Sequence, residues 1–204
     1  MRRDELHELH YITLIDNVPS ILTQGILSHY LAEKVQHRSI AMQEVQNRRS
    51  TKIVPGGRML HEYANTYICA RNPMLFLKRD SHAELCVLRI DPAVLELDGV
   101  IVTDRNAASH ARFSPGSTGL SLIDLEQVFA EYWTHPGDEL ATDNHKKIKC
   151  AEVLVPSRIP PNYIVGAYIS CVQSMRRLGE IAPQLSVTID AHLFFQEQRQ
   201  WFIH

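Results

Sequence analysis

The chain has 204 residues, 45% of them hydrophobic, with a formal net charge of −2. That length and apolar content suit one buried core in a single domain, 1–204, and the near-zero charge excludes a global pull toward nucleic acid or membrane, so any polyanion site must be a local patch. No run of eighteen apolar residues occurs, and Met1-Arg2-Arg3-Asp4-Glu5 lacks the apolar stretch of a secretory signal, which predicts a cytoplasmic protein with no membrane partner.

Leu9 to Thr13 predicts a first strand with His10 and Ile12 on one face, and Asp16-Asn17 offers N-cap side chains to a helix carrying Val18, Ile21 and Leu22 and stopping at Gly25. By residue type alone, His10 reads more readily as a packed or surface histidine than as a ligand-binding one. Lys34 to Arg58 is the one basic concentration, opposed only by Glu44. Ile40, Met42 and Val45 give it a weak helical stripe ending near Arg48-Arg49, before a Pro55-Gly56-Gly57 loop. Two arginines at a helix end suit either the helix dipole or phosphate oxygens.

A strand is expected through Tyr67, Ile68 and Cys69, then a turn at Arg71-Asn72-Pro73-Met74 and an apolar Leu75-Phe76-Leu77 segment. Leu85 to Ile90 and Gly99 to Thr103 read as strands, the second running into Asp104-Arg105-Asn106, a cluster whose default role is local hydrogen bonding. His110-Ala111-Arg112-Phe113 and Ser114-Pro115-Gly116-Ser117 read as loop, Asp124 as the cap of a helix to Ala130, and His135 to Asn144 as a polar loop. A buried strand is expected from Lys147 to Pro156, then a strand from Tyr163 to Cys171, a helix from Val172 to Ile181 and a strand from Leu185 to Ile189. Mixed strands and short helices without βαβ alternation argue for α+β. Cys69, Cys86, Cys150 and Cys171 are scattered, without Cys-x-x-Cys, and read as reduced core residues.

Glu152 is the one carboxylate in the middle of the Lys147 to Pro156 strand. Alternation places it on the face of Cys150 and Leu154, away from Ala151 and Val153. An ionised carboxylate there needs a cleft or a partner, and Lys147 or Lys149 would be the bland choice. Phosphate-loop, Gly-x-Ser-x-Gly and His-Glu-x-x-His patterns are absent, and the histidines are too dispersed for a metal box.

Taken together, several blocks resemble the DarT family, the bacterial DNA ADP-ribosyltransferase toxins of DarT/DarG toxin–antitoxin systems. They are His10-Tyr11-Ile12-Thr13 with Ile15-Asp16-Asn17, Arg48-Arg49, Tyr67 with Arg71 to Met74, Thr103 to Asn106, His110 to Phe113 and Ala151 to Val155, covering roughly Leu9 to Val165. The resemblance implies a compact ADP-ribosyltransferase fold and NAD as the ADP-ribose donor. The acceptor it implies is a base in single-stranded DNA, thymine before guanine, and the partner a DarG-type macrodomain antitoxin, and the chain itself is expected to be a monomer. Position by position, it implies that Glu152 and Arg49 are catalytic and that His10, Thr13, Asn17, Tyr67 and Arg49 bind NAD. Arg71, Met74, His110 and Lys146 fall to the DNA side. His145-Lys146-Lys147 departs from the family pattern, and no metal is implied.

The chemistry is consistent with that assignment. Cleaving the nicotinamide–ribose bond passes through an oxocarbenium-like centre, which a carboxylate stabilises, while an arginine holds phosphate but cannot act as a base. Tyr67 can stack on nicotinamide or on a splayed base. The same residues would also serve protein ADP-ribosylation or NAD hydrolysis. A non-enzymatic nucleic-acid-binding module would use Lys34 to Arg58 as its footprint and leave Glu152 structural.

Overall fold

A computed structural model describes residues 1–40 and 43–196. Among them the period-two apolar runs become strands β1 (Leu9–Leu14), β2 (Ile26–Leu27), β3 (Tyr63–Tyr67), β4 (Leu85–Ile90), β5 (Ile101–Thr103), β6 (Phe113–Pro115), β7 (Glu152–Pro156), β8 (Arg158–Ile159), β9 (Ile164–Ile169) and β10 (Val187–Ile189). The helices are α1 (Val18–Gln24), α2 (His29–Ala32), α3 (Gln43–Ser50), α4 (Pro73–Leu77), α5 (Leu125–Phe129), α6 (Glu139–Lys149) and α7 (Val172–Ile181). The fold is α+β. Eight strands form one sheet in the order β10-β9-β4-β1-β3-β7-β5-β6, and β2 pairs with β8. Only the β10/β9 pair in the large sheet is parallel.

Alternation along the strands sorts the two faces. Leu9, Leu88, Ile90, Val102, Val153 and Val155 join Val18 and Ile21 of α1 and Leu178 of α7 in the main core. On the other face, Ile12, Leu14, Leu85 and Val87 pack with Leu75 of α4 and with Phe194. Leu154 packs there with Val54, Leu60 and Tyr63. This second face is covered at both ends and left open between them, where the candidate site lies. Gly25 ends α1 at φ +87°, and a Cβ there would sit 2.2 Å from the Ile159 carbonyl oxygen, so only glycine lets α1 turn against β8.

Several expectations are corrected. Lys147 to Lys149 are the last turn of α6, the strand begins at Glu152, and most of the expected His135 to Asn144 loop is helix from Glu139 onward. Asp138 caps that helix by accepting from the Ala141 N–H (2.8 Å), and His145, Ile148 and Lys149 form its buried face. Cys150 therefore precedes the alternation that aligns Glu152 with Leu154. Where a turn and an apolar segment were expected, Pro73–Leu77 is a capped helix, because the Asn72 side chain accepts from the Leu75 N–H and Pro73 occupies the first turn. Phe113 to Pro115 pair with β5 as an edge strand, a position that tolerates proline. β3 ends at Tyr67, short of Ile68 and Cys69. Asn17 stands before α1 but makes no cap bond. Of the basic segment's helix, Met42 lies outside the described residues, and α3 starts at Gln43. All four cysteines are free. Among the described residues, no helix is long and apolar enough to cross a membrane, and no group of three or more His, Cys, Asp or Glu side chains is placed to hold a metal.

Candidate active site

The site stands on one row of side chains. His10 of β1 is paired with Tyr67 of β3, Tyr67 with Glu152 of β7, and Glu152 with Thr103 of β5. Directly opposed residues of antiparallel strands share a face, so the four emerge together, about 5 Å apart along the row.

Glu152 is wholly buried, 0% exposed, and Arg49 is 6% exposed. The Arg49 Nη1 donates to both carboxylate oxygens, at 3.2 and 3.1 Å, and the Ala107 backbone N–H donates to Oε1 at 3.0 Å. Neither lysine weighed as a partner is used. Lys147 pairs with Asp143, and Lys149 donates to the Val128 and Ala130 carbonyls, both at 2.8 Å. The Asp104 to Arg112 loop delivers Ala107. Buried Asp104 accepts from the Arg112 backbone N–H (2.9 Å) and Nε (3.0 Å), the Asn106 side chain accepts from the Ala108 N–H, and the Asn106 N–H donates to the Lys147 carbonyl. A buried ion pair seldom stabilises a fold more than apolar residues of the same volume, so this one calls for a reason beyond stability.

The surroundings bear the pair's imprint. Burial, and then the negative charge of Glu152, hold the Tyr67 phenol well above its ordinary pKa. The Lys52 ammonium is pushed down by burial and by the neighbouring Arg49 charge, with Glu152 offsetting part of the shift. Lys52 donates to the Ser109 carbonyl and so ties α3 to the Ala107 loop.

A cavity of about 370 Å³ opens above the row, lined by Thr13, Asn17, Arg49, Tyr67, Met74 and Lys146 among others. Glu152 lies just beneath its floor, behind Arg49. Arg38, exposed Arg48, Lys78 and Lys147 add a cationic rim. Asn17 holds one wall by donating to Thr13 Oγ1 (3.2 Å) and to the Arg38 carbonyl (2.9 Å). Besides Glu152, three of the expected residues do not line this cavity. His10 closes the far end of the row, and His110 is exposed on the Ala107 loop. Arg71 donates to Glu131 (2.7 Å) and to the His192 carbonyl (2.6 Å), lies over the Phe195 ring, and lines a separate cavity of about 490 Å³.

Sequence reasoning passed over the Ala107 amide, which has no side-chain signature, and Glu8, which does have one. Glu8 lies two residues before His10, and alternation alone would put both on one face. Burial pushes the Glu8 carboxyl up, but hydrogen bonds from His10, Arg89 and Tyr168 outweigh it and bring its pKa from 4.5 to about 2. A carboxyl depressed in the folded state contributes stability above its unfolded pKa, and that stability is lost as pH falls through the folded value. Wild type is therefore expected to lose on the order of 3 kcal/mol between about pH 4.5 and pH 2, an upper figure because the side chain is partly solvated. Glu8→Gln should show a correspondingly shallower slope in denaturant titrations across that window. Identical slopes would remove Glu8 as the cause.

Comparison with known proteins agrees with the fold. Residues 10–203 match the family model for DarT, described as ssDNA thymidine ADP-ribosyltransferase. The chain is 31% identical over 207 residues to a DNA ADP-ribosyl transferase–DNA ADP-ribosyl glycohydrolase fusion protein of Thermosipho africanus, covering 95% of this chain and 50% of the fusion. It thus spans half that relative's length. A DNA ADP-ribosyl transferase of Thermus sp. is 33% identical over 164 residues, covering 74% of this chain and 76% of the relative. Thermus sp. 2.9 DarT in complex with ADP-ribosylated ssDNA superposes with a TM-score of 0.80 at 27% identity, covering 93% of this chain and 96% of that one. The same Thermus protein in complex with NAD+ gives 0.76 at 26% identity, covering 93% and 98%. The chain belongs to the DarT family of single-stranded-DNA thymidine ADP-ribosyltransferases.

Proposed function

We propose that the chain transfers ADP-ribose from NAD to a base of single-stranded DNA, thymine in preference to guanine, with Glu152 and Arg49 as its catalytic residues. The observation that carries this reading is the wholly buried Glu152 held by Arg49, which lines the floor of a cavity with a cationic rim. When the nicotinamide–ribose bond breaks, its electron pair leaves with nicotinamide and positive charge develops at ribose C1′. A carboxylate fixed by three N–H contacts stabilises that charge without reorganising. Because Arg49 covers Glu152, contact with the ribose requires the guanidinium to turn toward the pyrophosphate, whose oxygens it fits as a fork. The acceptor base then attacks C1′ through a ring nitrogen. Thymine has one ring N–H not tied to its own sugar, and the proton displaced there passes to Glu152. The products are nicotinamide and a modified strand.

Thr13, Asn17 and Tyr67 line the NAD side of the cavity in this reading, and Met74 and Lys146 the DNA side. His10 supports the NAD side from the end of the row. The glycohydrolase fused to the Thermosipho relative supports a macrodomain partner of DarG type that removes the modification. A stacked base hides its ring edge and extruding it costs a few kcal/mol, so single strands should be labelled far faster than matched duplex. Across a salt series, neutralising a rim cation such as Lys146 should flatten the single-strand salt slope by roughly 0.7. Equal labelling of duplex, or labelled protein beside unmodified oligonucleotides, would favour the protein-modifying alternative.

A further inference from the structure

Glu8 is a multiply bonded side chain near the row that the proposed reaction leaves unused. Its Oε1 accepts from the Tyr168 hydroxyl (2.8 Å) and faces the His10 Nε2 (3.1 Å), and its Oε2 accepts from the Arg89 Nε (2.7 Å). The other ring nitrogen of His10, Nδ1, faces the Ile68 carbonyl at 3.2 Å. Acceptors fixed at both nitrogens leave the imidazole one orientation. Glu8 is itself held from two further strands, since Arg89 belongs to β4 and Tyr168 to β9, and the Arg89 guanidinium lies 5.1 Å from the Tyr168 ring centre. Packing alone does not need this assembly. The main core and the Leu75/Phe194 cluster are apolar, and gathering a largely buried carboxylate, a guanidinium, a phenol and an imidazole costs desolvation that apolar residues would avoid.

We propose that Glu8 is a positioning residue for the NAD site. It locks the His10 ring at the end of the His10–Tyr67–Glu152 row, so that the wall on which NAD lies is preformed. The proposal rests on the NAD-dependent reading above. His10 and Tyr67 are directly opposed, and Tyr67 lines the cavity, so a His10 ring free to tilt would loosen the Tyr67 side of the wall before it disturbed Glu152, a further strand away. The consequence is specific: losing Glu8 should weaken the capture of NAD and leave the chemical step nearly intact. A carboxylate that orients a histidine from behind acts in this way at metal sites too, where its loss costs roughly ten- to a hundredfold in affinity.

The test is NAD affinity by titration calorimetry without DNA, alongside kcat and KM for transfer to a single-stranded oligonucleotide. The proteins compared are wild type, Glu8→Gln, Tyr168→Phe, His10→Ala and the Glu8→Gln/His10→Ala double variant. Glu8→Gln should weaken NAD binding about tenfold and raise the KM for NAD equally, with kcat within about twofold. Tyr168→Phe should shift both in the same direction by about threefold. In the His10→Ala background, adding Glu8→Gln should cost nothing more, because the two act through one contact. Wild-type affinity in Glu8→Gln, or the full tenfold loss persisting without His10, overturns the proposal. If Glu8→Gln does not fold, Tyr168→Phe decides, and unchanged affinity in that variant counts against it. A wild type that binds NAD but labels no oligonucleotide refutes the transfer reading while the affinity series still judges Glu8. A wild type that does not bind NAD refutes both.

Discussion

Glu152→Gln is expected to slow ADP-ribose transfer by on the order of 10²-fold or more while NAD binding largely survives. The amide keeps the side chain's shape at a site with no exposed surface, so packing against Leu154 and the β3/β7 register should hold. What disappears is the negative charge beneath the ribose and the site that accepts the proton from the base. Both terms act mainly in the transition state, so the loss belongs in kcat rather than in KM. The variant also leaves Arg49 buried against a neutral amide, which should lower stability, and a thermal melt beside the rate measurement separates the two effects. Near wild-type transfer by a folded Glu152→Gln protein would end the catalytic assignment.

Arg49→Lys should be nearly as damaging, on the order of 10²-fold, and Arg48→Lys should change the rate by less than about threefold. The two arginines are neighbours in α3, but only one turns inward: Arg49 is buried on Glu152 and Arg48 is exposed at the rim. A compact ammonium cannot reach both carboxylate oxygens and a pyrophosphate with the spread of a guanidinium, and it loses more when desolvated. An exposed rim cation contributes mainly through screened attraction to phosphate, which lysine supplies about as well. Equal losses in the two variants, or a worse Arg48 variant, would mean that the wrong arginine of the pair has been assigned.

Strands with clean alternation were legible from the residues alone. Leu85 to Ile90 and the first strand fall where expected, and the face shared by Glu152 and Leu154 follows from period two. Helix α6 was not legible. Asp143 and Asn144 are exposed and look like loop, while two of its three buried positions, His145 and Lys149, count as polar in any pattern. Lys149 can be buried because the Val128 and Ala130 carbonyls at the C-terminal end of α5 accept hydrogen bonds from it, a pairing some twenty residues distant that no local rule predicts. The partner of Glu152 was hidden for the same reason, since Arg49 lies 103 residues earlier in the chain. The Ala107 amide is backbone and leaves no mark on residue choice. The strand order was equally closed to inspection, because β1 sits between β4 and β3 while β7 pairs with β3 across the whole stretch that holds β4, β5 and β6. Arg71 shows where position and environment part: it occupies a block that resembles the family, yet its side chain is spent on Glu131, His192 and Phe195 in a cavity apart from Glu152.

The most direct measurement is incubation of the protein with NAD labelled in its ADP-ribose half and two single-stranded oligonucleotides, one containing thymine and one in which every thymine is replaced. Wild type and Glu152→Gln are run side by side, and label is followed on DNA, on protein and as free ADP-ribose. Label is expected on the thymine-containing strand with wild type and nearly none with Glu152→Gln. Undiminished labelling by Glu152→Gln, or NAD consumed by wild type with label only on protein or free in solution, would contradict this expectation.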